Sequence, residues 1–563
     1  MMTSPGKRHW LERKSVRRDA TAGLVVGIES VPDGLAGGLL AGVNPVYGLY
    51  AYLVGTVTGA IFTSSAFMAV QATGAMAIIV ADVDVVHDAE DPGRALFTLS
   101  IVTGVIMLAA GLLKLGSTLR FVSNAVMVGF ISAVGVNIIL GQLADFTGYE
   151  GEGGNRVVRA LDTLLNLRQA DGATMLIGVA TIALIVMLER SRLGPLGMVV
   201  AIVATSAAVG VFGLDTVAQL GDIADIPSSL PRPTWPLLGL VPALLIPAFS
   251  LAFVGLVQGA SITANFPNPD GTYPDASRDF VGQGAANVAA GVFQAMPVGG
   301  SMSGTSLAVS AGARSRLALI LATVVMAVVI LVFGDAVSLI AMPALAGLLM
   351  LVGYRTIKPG NMVSVWKTGR VQAVVLAVTF GLTMLIPLQY AVLVGVGLSV
   401  VLHVIRQSNQ VTIKQRVFEP SGEVTETAPP GLLPHDEVIV LQPYGSLFFA
   451  SAPIFEKQMP EVTATSRNTV VILRLRGRSD LGTTFMDVLR RYALSLQDVD
   501  SKLMLVSTDR ILEEQFAVTG VTEVVGADNI YSGTERIGTT LKRAHSDAVA
   551  WVAANKALGS EPA

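Results

Sequence analysis

Apolar stretches of about 20 residues, the length that crosses a bilayer core, recur from Thr21 to about Arg406, with polar and charged residues gathered between them. That part of the chain has room for roughly 12 to 14 helices. The spans expected in its first half are 21–43, 46–63, 68–83, 94–115, 119–141, 172–189 and 195–214. The second half repeats the count, at 239–262, 278–296, 301–313, 316–334, 338–354, 371–387 and 389–406. From His435 onward the pattern changes to short apolar runs, such as Val470 to Leu475 and Leu503 to Val506, separated by charged, helix-forming stretches. Such alternation predicts an α/β domain of about 110 residues following an all-α polytopic membrane protein.

The third segment of each half is short and interrupted, around Gln71 to Ala77 and around Pro297 to Thr305. Matched interruptions in two halves point to inverted repeats with a site near the bilayer midplane. Each begins with small residues, Ala72-Thr73-Gly74 and Gly299-Gly300-Ser301, as expected of a half-helix starting inside the membrane. A helix N-terminus leaves backbone N–H groups unpaired and carries roughly half a positive charge, so two of them facing one cavity hold an anion without a basic side chain. Thr73, Ser301 and Ser303 add hydroxyl donors. The alternative is that the small residues only let helices approach closely.

Composition narrows the function. Only 14% of the 563 residues are charged, against roughly a quarter in soluble proteins. The absence of cysteine excludes disulfides, thiolate metal sites and thiol nucleophiles. A formal net charge of -3 gives no basic face for nucleic acid. The five histidines lie in loops, span ends or terminal segments, without the spacing of a metal site. The acidic turn Asn268 to Asp275 lacks the later bidentate glutamate of a calcium loop. No cofactor and no enzymatic constellation is indicated.

Charge placement sets the topology. Residues 1–20 form a basic segment with Lys7, Arg8, Arg13, Lys14, Arg17 and Arg18, expected to stay cytoplasmic. Positive charge returns in alternate loops, at Lys114 and Arg120, Arg190 and Arg192, Arg314 and Arg316, and from Arg355 to Arg370. The stretches Asp82 to Asp91 and Asp215 to Asp225 are acidic and fall in the opposite set; Arg156, Arg159 and Arg168 are the exception. An even number of spans then returns the C-terminus to the cytoplasm of a bacterial inner membrane. The expected domains are a transmembrane part at 21–406, a linker at 407–434, the α/β domain at 435–550 and a disordered tail at 551–563.

Three motifs carry a resemblance. Val31-Pro32-Asp33-Gly34 with Ala41-Gly42-Val43-Asn44-Pro45-Val46-Tyr47-Gly48-Leu49-Tyr50, then Gly282-Gln283-Gly284-Ala285-Ala286-Asn287, and Pro297 to Ser303 with Ala311 to Leu317, are similar to signatures of the SulP sulfate permease family, bacterial relatives of prestin and the animal anion exchangers. The resemblance implies fourteen spans in two inverted repeats of seven, a core domain of spans 1–4 and 8–11, a gate domain of the rest, elevator-like transport and usually a homodimer. It also implies a C-terminal STAS domain, visible in Gly445 to Ala450 and Ser479 to Thr484. In anti-sigma-factor antagonists a Ser or Thr after such an Asp is phosphorylated, which marks Thr483; the alternative for Thr483 is a helix N-cap.

The anion-binding residues expected from the half-helices and the resemblance are Pro32, Asp33, Ala72, Thr73, Gly74, Gln258, Gly300, Ser301, Met302 and Ser303. Two positions depart from the family pattern: Gln258 stands where many members have a glutamate, and Gly304 where many have an arginine. Losing one charge of each sign keeps a low-dielectric site balanced. A carboxylate remains nearby in Glu29 and Asp33, flanking Pro32, which is expected to break the first helix. At 1.5 Å per residue Asp33 lies roughly 18 Å along that helix, near the bilayer centre. Either carboxylate is a candidate for taking a coupling proton or sodium ion; the alternative is a protonated group bonded to the opened helix.

The expected function is secondary active transport of a small inorganic anion, with sulfate or bicarbonate implied by the resemblance. One alternative is an uncoupled exchanger or channel-like conductor, since Gln258 has no carboxylate. Another, of a different class, is a membrane-tethered regulator whose STAS domain binds a partner.

Overall fold

The computed structural model describes residues 13–116, 123–224, 229–419, 423–478, 480–536 and 538–558. Lys7, Arg8, His9, Arg120, Asp225 and Ser479, and the termini 1–12 and 559–563, lie outside the described residues. The chain forms two compact units, 1–399 and 400–563.

The first half of the membrane unit contains α1 (Arg13–Leu40), α2 (Pro45–Phe62), strand β1 (Ala69–Gln71), α3 (Gly74–Ala81), α4 (Asp84–His87), α5 (Pro92–Leu112), α6 (Asn124–Gly141), α7 (Leu143–Thr147), α8 (Arg156–Leu165), α9 (Gly172–Glu189), α10 (Leu196–Phe212) and α11 (Leu220–Ile223). The second half contains α12 (Val241–Asn265), α13 (Ala276–Val292), strand β2 (Gly299–Ser301), α14 (Met302–Ser310), α15 (Leu317–Ser338), α16 (Met342–Thr356), α17 (Pro359–Thr368), α18 (Arg370–Leu385) and α19 (Leu388–Asn409). Two long helices, a strand with a short helix, and another long helix open both halves. Each expected span coincides with one of these elements, and the third and tenth are the strand-plus-short-helix units.

Packing follows the same symmetry. Helix α1 lies against α15 as α12 lies against α5, and α2 packs on α15 as α13 packs on α5. These helices, with α3 and α14, make one bundle; α6, α9, α10, α16 and α18 make contacts that form a second. Helix starts carry local signals. Asn44 and Asp91 cap α2 and α5, each ahead of a proline at the first position, and Asp171 and Asp275 cap α9 and α13.

Two expectations need correction at the N-terminus. Residues 13–20 are the first turns of α1, because nothing between Arg13 and Thr21 breaks a helix. Buried Asp19 ties those turns to the loop after α14, accepting from the Arg314 amide at 2.6 Å and the Ser315 hydroxyl at 2.7 Å. The expected break at Pro32 is also absent: α1 runs unbroken through it. The helix is gripped on both sides of the proline. Before it, Cβ atoms on Gly23 and Gly27 would lie 2.7 and 2.6 Å from the Ala318 and Ala322 carbonyl oxygens of α15; after it, one on Gly38 would lie 2.7 Å from Pro45 Cα of α2. Contacts that close leave the backbone no room to bend out.

Arg156, one of the three exceptions to the charge rule, pairs with Asp82 at 2.8 Å, joining the start of α8 to the end of α3. Its charge is met locally, which weakens its claim on topology.

The second unit is a six-stranded sheet in the order β4-β3-β5-β6-β7-β8, with β3 (Thr412–Phe418), β4 (Val424–Thr427), β5 (Val438–Tyr444), β6 (Val470–Arg474), β7 (Lys502–Thr508) and β8 (Ile530–Ser532). Strands β5 to β8 are parallel; β3 and β4 add antiparallel at one edge. Helices α20 (Ala452–Glu456), α21 (Thr483–Gln497), α22 (Arg510–Val518) and α23 (Val521–Val525) cover one face, and α24 (Thr539–Leu558) the other. The segment 407–434 is therefore not a plain linker. It contains β3 and the edge strand β4, whose charged and polar residues hid the strand pattern. Nor is 551–558 a disordered tail: it completes α24, where Val552 packs on the sheet and Trp551 joins it.

Candidate anion-binding site

The interruptions in the third and tenth segments meet each other. Strands β1 and β2 pair antiparallel, Ala69 opposite Ser301, Val70 opposite Gly300 and Gln71 opposite Gly299. Extended backbone inside a membrane is tolerated only where its polar groups are satisfied, and here the strand pairing is completed by side chains, with Thr305 taking the Ala69 amide and Gln283 the Gly300 amide. Two half-helices therefore start from one crossing, α3 at Gly74 and α14 at Met302.

Both starts are capped by hydroxyls. Thr73 accepts from the Met76 amide at 3.4 Å, and Ser301, 4% exposed, accepts from the Gly304 amide at 3.1 Å. The amides of Gly74 and Ala75 in α3, and of Met302 and Ser303 in α14, have no acceptor within their own helix by helical geometry. The Ser301 and Ser303 hydroxyls lie 3.1 Å apart, and Met302 and Ser303 are exposed. Thr73 donates to the Gln258 side-chain oxygen at 3.0 Å, joining α12 to the start of α3. Thr73 and Gln258 are thus brought together, with Ala72 and Gly74 beside them.

Gly300 has a different role from the one expected. Its amide donates to Gln283 Oε1 at 2.9 Å, so that N–H is already spent. Added Cβ atoms on Gly299 and Gly300 would stand 2.9 Å from Gly255 Cα and 2.8 Å from Gly259 Cα, so at these two positions small size serves the close packing of β2 on α12.

Pro32 is buried and Asp33 half-buried in α1. Residues three and four apart share a helix face. Ser30 accepts from Gln71 at 3.3 Å, and Gly37 approaches the Ala72 side chain. Asp33, between Ser30 and Gly37 on that face, is therefore turned toward the strand crossing. Glu29 lies one turn earlier, and its Oε2 is buried without a hydrogen-bond partner among the described residues.

The residues that hold the crossing escaped notice as site residues. Asn287 of α13 clamps Val298, donating to its carbonyl at 2.6 Å and accepting from its amide at 2.9 Å, while Gln283, one turn earlier, holds Gly300. Gln71 is 2% exposed, and a Cβ on Gly304 would stand only 2.3 Å from its Oε1. The space beside Gly304 is occupied by the Gln71 amide, while Gln258 turns to Thr73. Buried amide side chains in apolar segments were the available signal.

Among the described residues no group of acidic, histidine or cysteine side chains is arranged to hold a metal ion. In the second unit Thr483 is exposed as the first residue of α21, whose N-cap is Gly482, so Thr483 does not cap the helix. Asp480 accepts from the Gly482 amide at 3.1 Å and from Gln515 at 3.0 Å.

Known proteins resemble this chain in sequence and in fold. Residues 16–379 match the sulfate permease family and residues 432–537 the STAS domain. The putative sulfate transporter YvdB of Bacillus subtilis is 26% identical over 528 residues, 92% of this chain and 97% of its own. The bicarbonate transporter BicA of Picosynechococcus is 26% identical over 406 residues, 70% of this chain and 71% of its own. The murine anion transporter Slc26a9, solved in the inward-facing state, superposes with a TM-score of 0.83 at 19% identity, over 98% of this chain and 96% of its own, which is a likeness of fold. These relatives are named as transporters, so the function is transport rather than catalysis. With the family match spanning both strand–half-helix units and most of the membrane unit, the chain belongs to the sulfate permease family.

Proposed function

We propose that the protein is a secondary active transporter of a small inorganic oxyanion, sulfate or bicarbonate, and that the anion is held between the N-termini of α3 and α14. The observation that carries this reading is the pairing of β1 with β2, which starts both half-helices at one crossing beside Thr73 and Ser301. Helix-start amides without an intrahelical acceptor, with the hydroxyl of the Ser301 and Ser303 pair that does not donate to the other, suit an anion whose oxygens accept several hydrogen bonds, and Thr73 and Gln258 orient the start of α3. The relatives named for sulfate and bicarbonate support that substrate class. Alternating access is elevator-like, the bundle with α3 and α14 moving against the bundle with α6 and α16. Asp33, facing the crossing, or Glu29 takes the coupling proton or sodium ion. The protein works as a homodimer in a bacterial inner membrane, with both termini cytoplasmic.

Uptake of radiolabelled sulfate and bicarbonate into proteoliposomes, under a pH gradient, a sodium gradient and neither, tests substrate and coupling together. Concentration of one anion only under a gradient is the expected result. Equilibration whatever the gradient favours the second reading, an uncoupled exchanger, which the uncharged Gln258 at the start of α3 supports. No movement of either anion overturns both.

A further inference from the structure

The STAS unit has a cavity of about 440 Å³ at the carboxyl ends of β6, β7 and β8. In open parallel sheets this is the edge where ligands bind, because loops there diverge and helix N-termini point inward. Four arginines line it, Arg474, Arg476, Arg510 and Arg536. Arg510 pairs loosely with Glu514 at 3.7 Å; among the described residues the other three make no ion pair. Two carboxylates also line the cavity, and both are engaged. Asp509 caps α22 at the Leu512 amide, 2.9 Å away, and Glu513 accepts from Thr508 at 2.6 Å and Ser532 at 2.7 Å. The lining is left with an excess of two positive charges.

Burial, and then the like charges of Arg416 and Arg476, hold the Arg474 guanidinium below its ordinary range, with Tyr444 and Glu426 opposing, and Arg474 donates to the Gln442 side-chain oxygen. Ser507, with φ 65° at the irregularity between β7 and β8, and Thr534 and Thr540 beside the start of α24 add hydroxyls. Among the described residues lining the cavity Leu541 is the lone large apolar side chain and none is aromatic, so a nucleobase or an acyl chain has little to pack against. We propose that this cavity binds a small phosphate-bearing anion, held by the guanidiniums of Arg474, Arg476 and Arg536. Planar guanidiniums match phosphoryl oxygens bidentately, and guanidiniums supplied from separate segments fit a ligand with two phosphoryl groups better than one.

The test is equilibrium dialysis of the full-length protein in detergent with labelled inorganic pyrophosphate, and in parallel with phosphate and sulfate. Expected is saturable pyrophosphate binding, at least tenfold tighter than phosphate or sulfate. Arg536→Ala and Arg476→Ala should each weaken it at least tenfold, while Lys457→Ala, an exposed charge elsewhere in the unit, leaves it unchanged. Arg536 is exposed, so an unchanged unfolding midpoint for its variant separates lost binding from lost folding. Absence of saturable binding, or binding kept within twofold in both arginine variants, overturns the proposal. Since uptake by the membrane unit is measured separately, either result leaves the transport reading standing or falling by itself.

Discussion

The hydroxyl of Thr73 donates to the side-chain oxygen of Gln258 across 3.0 Å while also capping α3 at the Met76 amide. One side chain thus fixes both the start of a half-helix and the orientation of a neighbouring amide. Thr73→Val removes the hydroxyl with little change of volume and should lose about 1 kcal/mol of capping. Anion KM is expected to rise about fivefold, with Thr73→Ser close to the parent. Initial-rate uptake on both variants checks this; a Val variant with unchanged KM would remove Thr73 from the site.

Gln258→Glu keeps an acceptor for Thr73 but adds a negative charge beside the proposed anion. Repulsion on the order of 1–3 kcal/mol at an intermediate dielectric should raise KM roughly 5- to 150-fold at alkaline pH. Because protonation neutralises the new carboxylate, the defect should shrink as pH falls. KM measured from pH 5 to 8 in parent and variant decides; a parallel pH profile in the two counts against an anion at this position.

Gly304 and Gln71 share one space. In Gly304→Ala the new methyl meets the Gln71 oxygen and should cost about 1–3 kcal/mol of stability by overpacking. Combining it with Gln71→Ala should cost less than the sum of the two changes, because the obstructing amide is gone. Thermal unfolding in detergent of the four proteins of this cycle measures the coupling, and additive effects would mean that the two positions do not compete.

Asp33→Asn and Glu29→Gln separate coupling from binding. At least one should abolish gradient-driven concentration of the anion while leaving anion exchange within about threefold of the parent, since charged groups near the bilayer centre are costly and retained for function. Proteoliposome uptake with imposed pH and sodium gradients is the measurement. Unchanged gradient dependence in both variants would end their candidacy.

His545 on α24 packs its ring 4.9 Å from that of Phe418 on β3, and burial lowers its pKa from the usual imidazole value of about 6.5. The folded state thus binds its proton less readily than the unfolded chain. Its contribution to stability is fully present above about pH 6.5 and is lost as pH falls through the lowered folded value. The opening free energy of α24, taken from hydrogen exchange after dividing out the pH dependence of intrinsic exchange, should fall modestly between pH 7 and 5, and His545→Gln should flatten that response; an equal response in the variant would assign it elsewhere.

Span positions were legible in the chain because burying some 20 apolar residues in lipid is a local requirement that each segment meets for itself. The same holds for the half-helix starts, where a small residue next to a Thr or Ser marks a cap. Pro32 misled because its effect on a helix depends on neighbours far along the chain: α15 and α2 grip α1 on either side of it. The charged antiparallel strands β3 and β4 and the last turns of α24 were missed because their pattern emerges only against the sheet they complete.

The sequence by itself determined that this is a polytopic membrane protein with two matched halves, an α/β C-terminal unit and hydroxyl-capped interruptions in each half. Periodicity, charge placement and motif order are all written along one dimension. The tertiary structure decided which groups meet: β1 against β2, Thr73 with Gln258, Gln71 filling the space beside Gly304, and Gln283 taking the Gly300 amide. Hydrogen bonds act over about 3 Å, so pairing between residues 17 positions apart, as for Gln283 and Gly300, or 185 apart, as for Thr73 and Gln258, has no local signature. It is set by how two inverted halves pack together.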